Sequence, residues 1–155
     1  MIRPALLASM VMMSASAVTF AADKASATVN ISGGPNAGKH EITVGRGGCS
    51  AGLTGKNSFG TQISGAKDPN PKKLDSVQLD LPDRSKPNEF RMTVGFGSIL
   101  NRGAEYTIDT RAKKGNGGLT LADNGSTASV KVSGTTAEGV KLDVAIDCKS
   151  VLRAG

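Results

Sequence analysis

Val140-Lys141-Leu142-Asp143-Val144-Ala145-Ile146-Asp147-Cys148 alternates apolar and polar residues from end to end. Val140, Leu142, Val144, Ile146 and Cys148 fall on one side, and Lys141, Asp143, Ala145 and Asp147 on the other. Successive side chains of a β-strand point to opposite faces, so this stretch predicts a half-buried strand whose core face ends in a cysteine.

The same period of two recurs upstream. Asp75-Ser76-Val77-Gln78-Leu79-Asp80-Leu81 sets Val77, Leu79 and Leu81 on one face, and Pro82 ends it. Phe90, Met92, Val94 and Phe96 share a face in the next segment. Ala27–Ser32, Glu41–Val44, Tyr106–Asp109, Leu119–Leu121 and Ala128–Ser133 read as further strands, with Thr61–Ser64 the weakest. Turn residues separate them: Gly33–Gly38, Asp68–Lys73, Asp83–Asn88, Lys113–Gly118 and Asp123-Asn124-Gly125. The run Gly45–Gly55 around Cys49 reads as a glycine-rich loop. No helical stripe appears beyond the first 20 or so residues. The expected fold is all-β: one small antiparallel β-sandwich or barrel with one disulfide.

Cys49 and Cys148 are the only cysteines. A structural zinc site needs four ligands, and a redox pair is usually spaced C-x-x-C. Two cysteines and a single histidine meet neither requirement, so a disulfide is expected and no metal. It would tie the last strand to an early segment through the core. The core needs it, because the chain has four Phe, one Tyr and no Trp.

The amino terminus predicts the compartment that permits such a bridge. Arg3 is followed by an uncharged run from Ala5 to Phe20, then Ala21-Ala22 before Asp23-Lys24. A basic start, an apolar middle and small residues form a secretory signal. Cleavage is expected after Ala21, with Thr19 at the −3 position; Ala17 is a second site. The apolar run falls short of the roughly 20 residues that a spanning helix needs. The reading is a signal peptide over 1–21 and a single β domain over 22–155, periplasmic or secreted, with no stable membrane span.

The net charge of +6 suits an anionic envelope or extracellular partner, and equally serves the solubility of a small exported protein. Two basic clusters lie in loops, Lys67 with Lys72 and Lys73, and Arg111 with Lys113 and Lys114; they are the candidate anion-binding residues. Aromatics are too few for a base-stacking platform, so no nucleic-acid partner is expected.

No catalytic constellation emerges. Gly33-Gly34-Pro35-Asn36-Ala37-Gly38-Lys39-His40 approaches a phosphate-binding loop, but His40 stands where a hydroxyl residue belongs and a strand follows where a helix is required. It reads as a connecting loop, and His40 as a solvent-exposed side chain. The carboxylates Asp75, Asp80, Asp83, Asp109, Asp123, Asp143 and Asp147 are dispersed and match no calcium loop. No cofactor and no enzymatic activity are expected.

From Cys49 to Cys148 the layout resembles the mycobacterial lipoprotein antigen family. The features shared are the glycine-rich segment at Cys49, the strand Asp75–Leu79, and the tail, where Gly125–Gly139 leads into the alternating strand that ends at Cys148. The resemblance implies a small envelope-displayed β domain that interacts with a ligand or host component, with no catalytic residues. No cysteine follows the leader, so lipid anchoring is not implied. The expected function is an exported, non-catalytic β domain that binds a ligand or partner. The alternative is an inhibitor of a secreted or cell-wall hydrolase that presents a loop such as Asp83–Asn88.

Overall fold

A computed structural model describes residues 24–43, 46–65, 68–98 and 100–154. The leader and Lys67 lie outside the described residues. Among the described residues, eleven strands form two sheets. The first contains β1 (Ala25–Ser32), β2 (Gly38–Ile42), β8 (Asn116–Asp123), β9 (Ala128–Thr135) and β10 (Lys141–Cys148), in the order β2-β1-β10-β9-β8. The second contains β3 (Arg46–Ala51), β4 (Phe59–Ser64), β5 (Leu74–Leu81), β6 (Arg91–Ser98), β7 (Asn101–Asp109) and β11 (Val151–Arg153), in the order β11-β3-β4-β5-β6-β7. Both sheets have open edges, so the fold is a sandwich and not a closed barrel.

The strands of the first sheet cross those of the second. Where β1 begins, Lys24 lies beside Gly48 of β3; where the β1–β2 loop turns, Gly34 lies beside Tyr106 of β7. The inner faces follow the alternation in the sequence. β10 is buried at Leu142, Val144, Ile146 and Cys148, and β5 at Leu74, Val77, Leu79 and Leu81. Phe90, Met92, Val94 and Phe96 are buried together. Each fully buried side chain of this size contributes about 1.5–3 kcal/mol relative to exposure.

The disulfide joins Cys49 of β3 to Cys148 of β10, with Cα atoms 5.9 Å apart. It staples one sheet to the other, and both cysteines are buried.

Three strands depart from the sequence reading. The glycine-rich segment around Cys49 is strand β3, not a loop. Gly47 there has φ of 102°, and a Cβ on it would collide with the Gln62 carbonyl of β4, so glycine is what lets this segment pair closely. β8 begins at Asn116 and takes up residues read as loop. Gly117 faces Gly134 across the β8–β9 ladder, where the missing side chains let the two backbones approach closely, and Gly134 lies against Ile108 of β7. β11 has no period-two signature, is only three residues long, and pairs parallel to β3 in an otherwise antiparallel fold.

One end of the sandwich is latched by Asp123, whose side chain is 16% exposed. It accepts from Arg84 of the β5–β6 loop at 2.8 Å, from Arg153 of β11, and from the Gly125 N–H at 3.0 Å. Burial pushes the Asp123 pKa up, but the bonds from Arg153, Gly125 and Arg84 outweigh it and hold the carboxyl below its usual value. A pKa lower in the folded than in the unfolded state gives stability that is fully present above the unfolded value. That stability is lost as the pH falls through the folded one, below about pH 4. Asp123→Asn is expected to cost about 1–3 kcal/mol at neutral pH and to flatten the acid limb of the stability profile. Urea unfolding from neutral to strongly acid pH checks this; an unchanged acid limb would show that the latch is not coupled to folding.

Candidate binding groove

The outer face of the five-stranded sheet carries the polar half of each alternating strand. The register then brings residues from distant parts of the chain into rows. Asn30 of β1 pairs with Asp143 of β10, Asp143 with Ser133 of β9, and Ser133 with Gly118 of β8. Thr28, Ala145, Lys131 and Thr120 form the next row. Asn88 of the β5–β6 loop stands at the rim, and a groove of about 540 Å³ runs between them.

Ser133 Oγ donates to Asp143 Oδ1 at 2.6 Å, which fixes the carboxylate in the floor. Gly118 leaves the floor open: a Cβ there would meet nothing within 4 Å. The groove therefore offers an amide, a fixed carboxylate, hydroxyls and the Lys131 ammonium within one concavity, which is the chemistry of polar recognition. No histidine or cysteine lines it.

The basic clusters do not converge on this groove. Lys72 and Lys73 lie in the β4–β5 loop beside the end of β6, where Gly97 N–H bonds the Lys73 carbonyl. Arg111, Lys113 and Lys114 lie in the β7–β8 turn, beside the start of β6, where Arg91 pairs with Asp109. The clusters thus occupy opposite ends of the six-stranded sheet. Lys73 is paired with Asp68 at 2.9 Å, and Arg111 with Asp80 at 2.9 Å. Lys114 lines a smaller cleft with Arg91, Glu105, Asp109 and Glu138.

His40 differs from its sequence reading. It is half-buried on β2, donates from Nε2 to the Asn36 carbonyl at 2.8 Å, and meets Phe96 edge-on at 4.8 Å. Asn36 Oδ1 in turn accepts from the Tyr106 hydroxyl at 3.0 Å. The β1–β2 loop is pinned across the sandwich by this cluster, and a phosphate-cradling role has no place in it. Among the described residues, no group of three His, Cys, Asp or Glu side chains could hold a metal. No helix of the described residues is long and apolar enough to cross a membrane.

Sequence reasoning missed the groove residues Asn30, Asn88, Gly118, Lys131, Ser133 and Asp143. Alternation shows that those on strands face outward, but not which of them share a row.

Compared with protein-family models, with curated proteins and with solved structures, the chain matches none. The fold and groove define a class on their own: a crossed β-sandwich, stapled between its sheets by a disulfide, with a polar concavity on its five-stranded face.

Proposed function

We propose that this chain is an exported bacterial envelope or secreted protein whose β domain binds a ligand or partner through the polar groove, without catalysis. The observation that carries the reading is the groove itself. Four strands present hydrogen-bonding side chains into one concavity that the fold leaves unfilled. Export is supported by the basic-apolar-small leader and by a buried disulfide, which persists in oxidising compartments. The envelope setting accords with the lipoprotein antigens that the tail resembles.

An inhibitor reading keeps one specific observation. The β5–β6 loop is rigid where it leaves the sheet: Asp83 Oδ1 accepts from the Ser85 N–H at 2.9 Å, from Ser85 Oγ at 2.8 Å, and from Asn57 Nδ2. Lys86, Pro87 and Asn88 are then displayed to solvent.

The two readings separate in one experiment. The protein is immobilised after export and exposed to envelope extract and culture fluid, alongside Ala145→Arg and a Lys86→Ala/Pro87→Ala variant. Ala145 is exposed in the groove, so arginine there fills the cavity without touching the core. The groove reading expects retained material to fall about tenfold or more with Ala145→Arg, a difference of 1.4 kcal/mol. Loss with the loop variant alone supports the inhibitor. Retention of nothing by the unaltered protein overturns both.

A further inference from the structure

Among the described residues the exposed large apolar side chains are Leu53, Leu100 and Leu152, which are 53%, 96% and 65% exposed. A single exposed leucine is ordinary on a protein surface. Leu100 is set apart by its place and its neighbours. It stands at the tip where β6 turns into β7: Ser98 and Asn101 pair across the hairpin, and Leu100 has almost no protein around it.

A second loop backs this tip. Asn101 Nδ2 donates to the Pro69 carbonyl at 2.8 Å, and the Gly97 N–H donates to the Lys73 carbonyl at 2.9 Å. Pro71 lies against Gly97 and Gly103, and a Cβ on Gly103 would collide with the Pro71 carbonyl. The β4–β5 loop is thus clamped along the hairpin and carries its lysines with it. The end of the sheet so formed holds unbalanced positive charge. Among the described residues, Arg46 of β3, Lys72, Lys73 and Arg102 of β7 stand there against Asp68 and Asp75. Lys73 is paired with Asp68, whereas Arg46, Lys72 and Arg102 are exposed and make no ion pair among the described residues. At the opposite end cations have carboxylates beside them. Arg111 meets Asp80 and Asp109, and Arg91 and Lys114 share a cleft with Glu105, Asp109 and Glu138.

We propose that the β6–β7 tip docks this protein on an anionic lipid surface, with Leu100 entering the headgroup region and Lys72, Lys73 and Arg102 lying against the lipid phosphates. Charge complementarity selects this occupant. An anionic membrane attracts basic side chains held close to it, and an apolar side chain among them gains by leaving water.

Lipid fits this tip better than a protein partner does. A partner would have to supply a pocket shaped for one protruding leucine, whereas lipid closes around a protruding side chain without one. The clamped loops hold the leucine and the cations together before the encounter, so docking orders little that was free. One leucine and a few cations give reversible attachment, not anchoring. No tip residue lines the groove, so docking leaves the groove open, and the two proposals stand or fall separately.

The test uses the chain as exported, with its disulfide formed, sedimented with vesicles of phosphatidylcholine alone or mixed equally with phosphatidylglycerol. Binding is expected to the mixed vesicles only, and is expected to weaken as salt is raised. Lys72→Ala/Arg102→Ala is expected to weaken it about thirtyfold, at about fivefold per charge. Leu100→Ser is expected to weaken it about tenfold. All three side chains are exposed, so these variants keep the fold. The chain has no tryptophan, so Leu100→Trp supplies a single reporter. Its emission is expected to shift to the blue on mixed vesicles, while that of Leu53→Trp, in the β3–β4 loop at the other end of the sheet, stays unchanged. No binding, equal binding to both kinds of vesicle, or binding that either the Leu100→Ser or the double variant leaves unchanged would each overturn the proposal. So would a shift as large at Leu53→Trp as at Leu100→Trp. A mass above one chain without lipid, returned to one by Leu100→Ser, would overturn it in favour of pairing between copies.

Discussion

Removing the Cys49–Cys148 bridge, by reduction or as the C49A/C148A double variant, is expected to lower stability by about 4–5 kcal/mol. The magnitude follows from the 99-residue separation of the two cysteines, since a longer closed loop restrains the unfolded chain more. The folded state loses little by comparison. Both side chains are buried, and reduced cysteines remain there as small apolar groups. The effect should therefore appear as a gain in unfolded-chain entropy, with the strands still formed below the transition. At about 4 °C per kcal/mol for a domain of this size, the melting temperature should fall by about 15–20 °C. Thermal melts followed by circular dichroism, with and without reductant, measure it. A melting temperature unmoved by complete reduction would refute the account.

Phe90→Ala should come next, at about 3–5 kcal/mol. Phe90 is fully buried immediately before β6, in a core that has few aromatic side chains. How much a cavity costs depends on how far the surroundings can collapse into it. Here they are held. The Phe90 N–H donates to Thr110 Oγ1 at 2.9 Å, while the Phe90 carbonyl accepts from Thr110 N–H at 3.1 Å and from Thr110 Oγ1 at 3.0 Å. That clamp fixes the backbone on both sides of the missing ring, so the loss belongs near the upper end of the range. Chemical denaturation gives the number. A loss under about 1 kcal/mol would mean that the core relaxes around the cavity.

The contrast between Phe90 and Gly118 shows where the sequence is a sufficient guide. Phe90, Met92, Val94 and Phe96 declare their shared face locally, because strand parity depends only on neighbouring residues. The same holds for Leu142 to Cys148, and that parity placed Cys148 in the core, facing its partner. Gly118 declares nothing. Its value as an opening in the groove floor exists only because β9 sets Ser133 beside it, β10 sets Asp143 beside Ser133, and β1 sets Asn30 beside Asp143. A run of glycines misleads for the opposite reason. Gly45–Gly55 has the composition of a loop, yet part of it pairs as β3, because close contact with β4 rewards the absence of side chains. His40 is similar: alone in the sequence it has no partner, and only the crossing of the sheets brings Phe96 and Asn36 to it.

By itself, then, the sequence determined the all-β class, the inward face of most strands and the pairing of its two cysteines. Each rests on local alternation or on a count that leaves one solution. Only the tertiary structure decided that the sheets form a sandwich with open edges, that Asp123 gathers Arg84 and Arg153, and which rows of polar residues make the groove. These depend on register and strand order among segments a hundred residues apart, and a period of two carries no record of which strand will lie alongside.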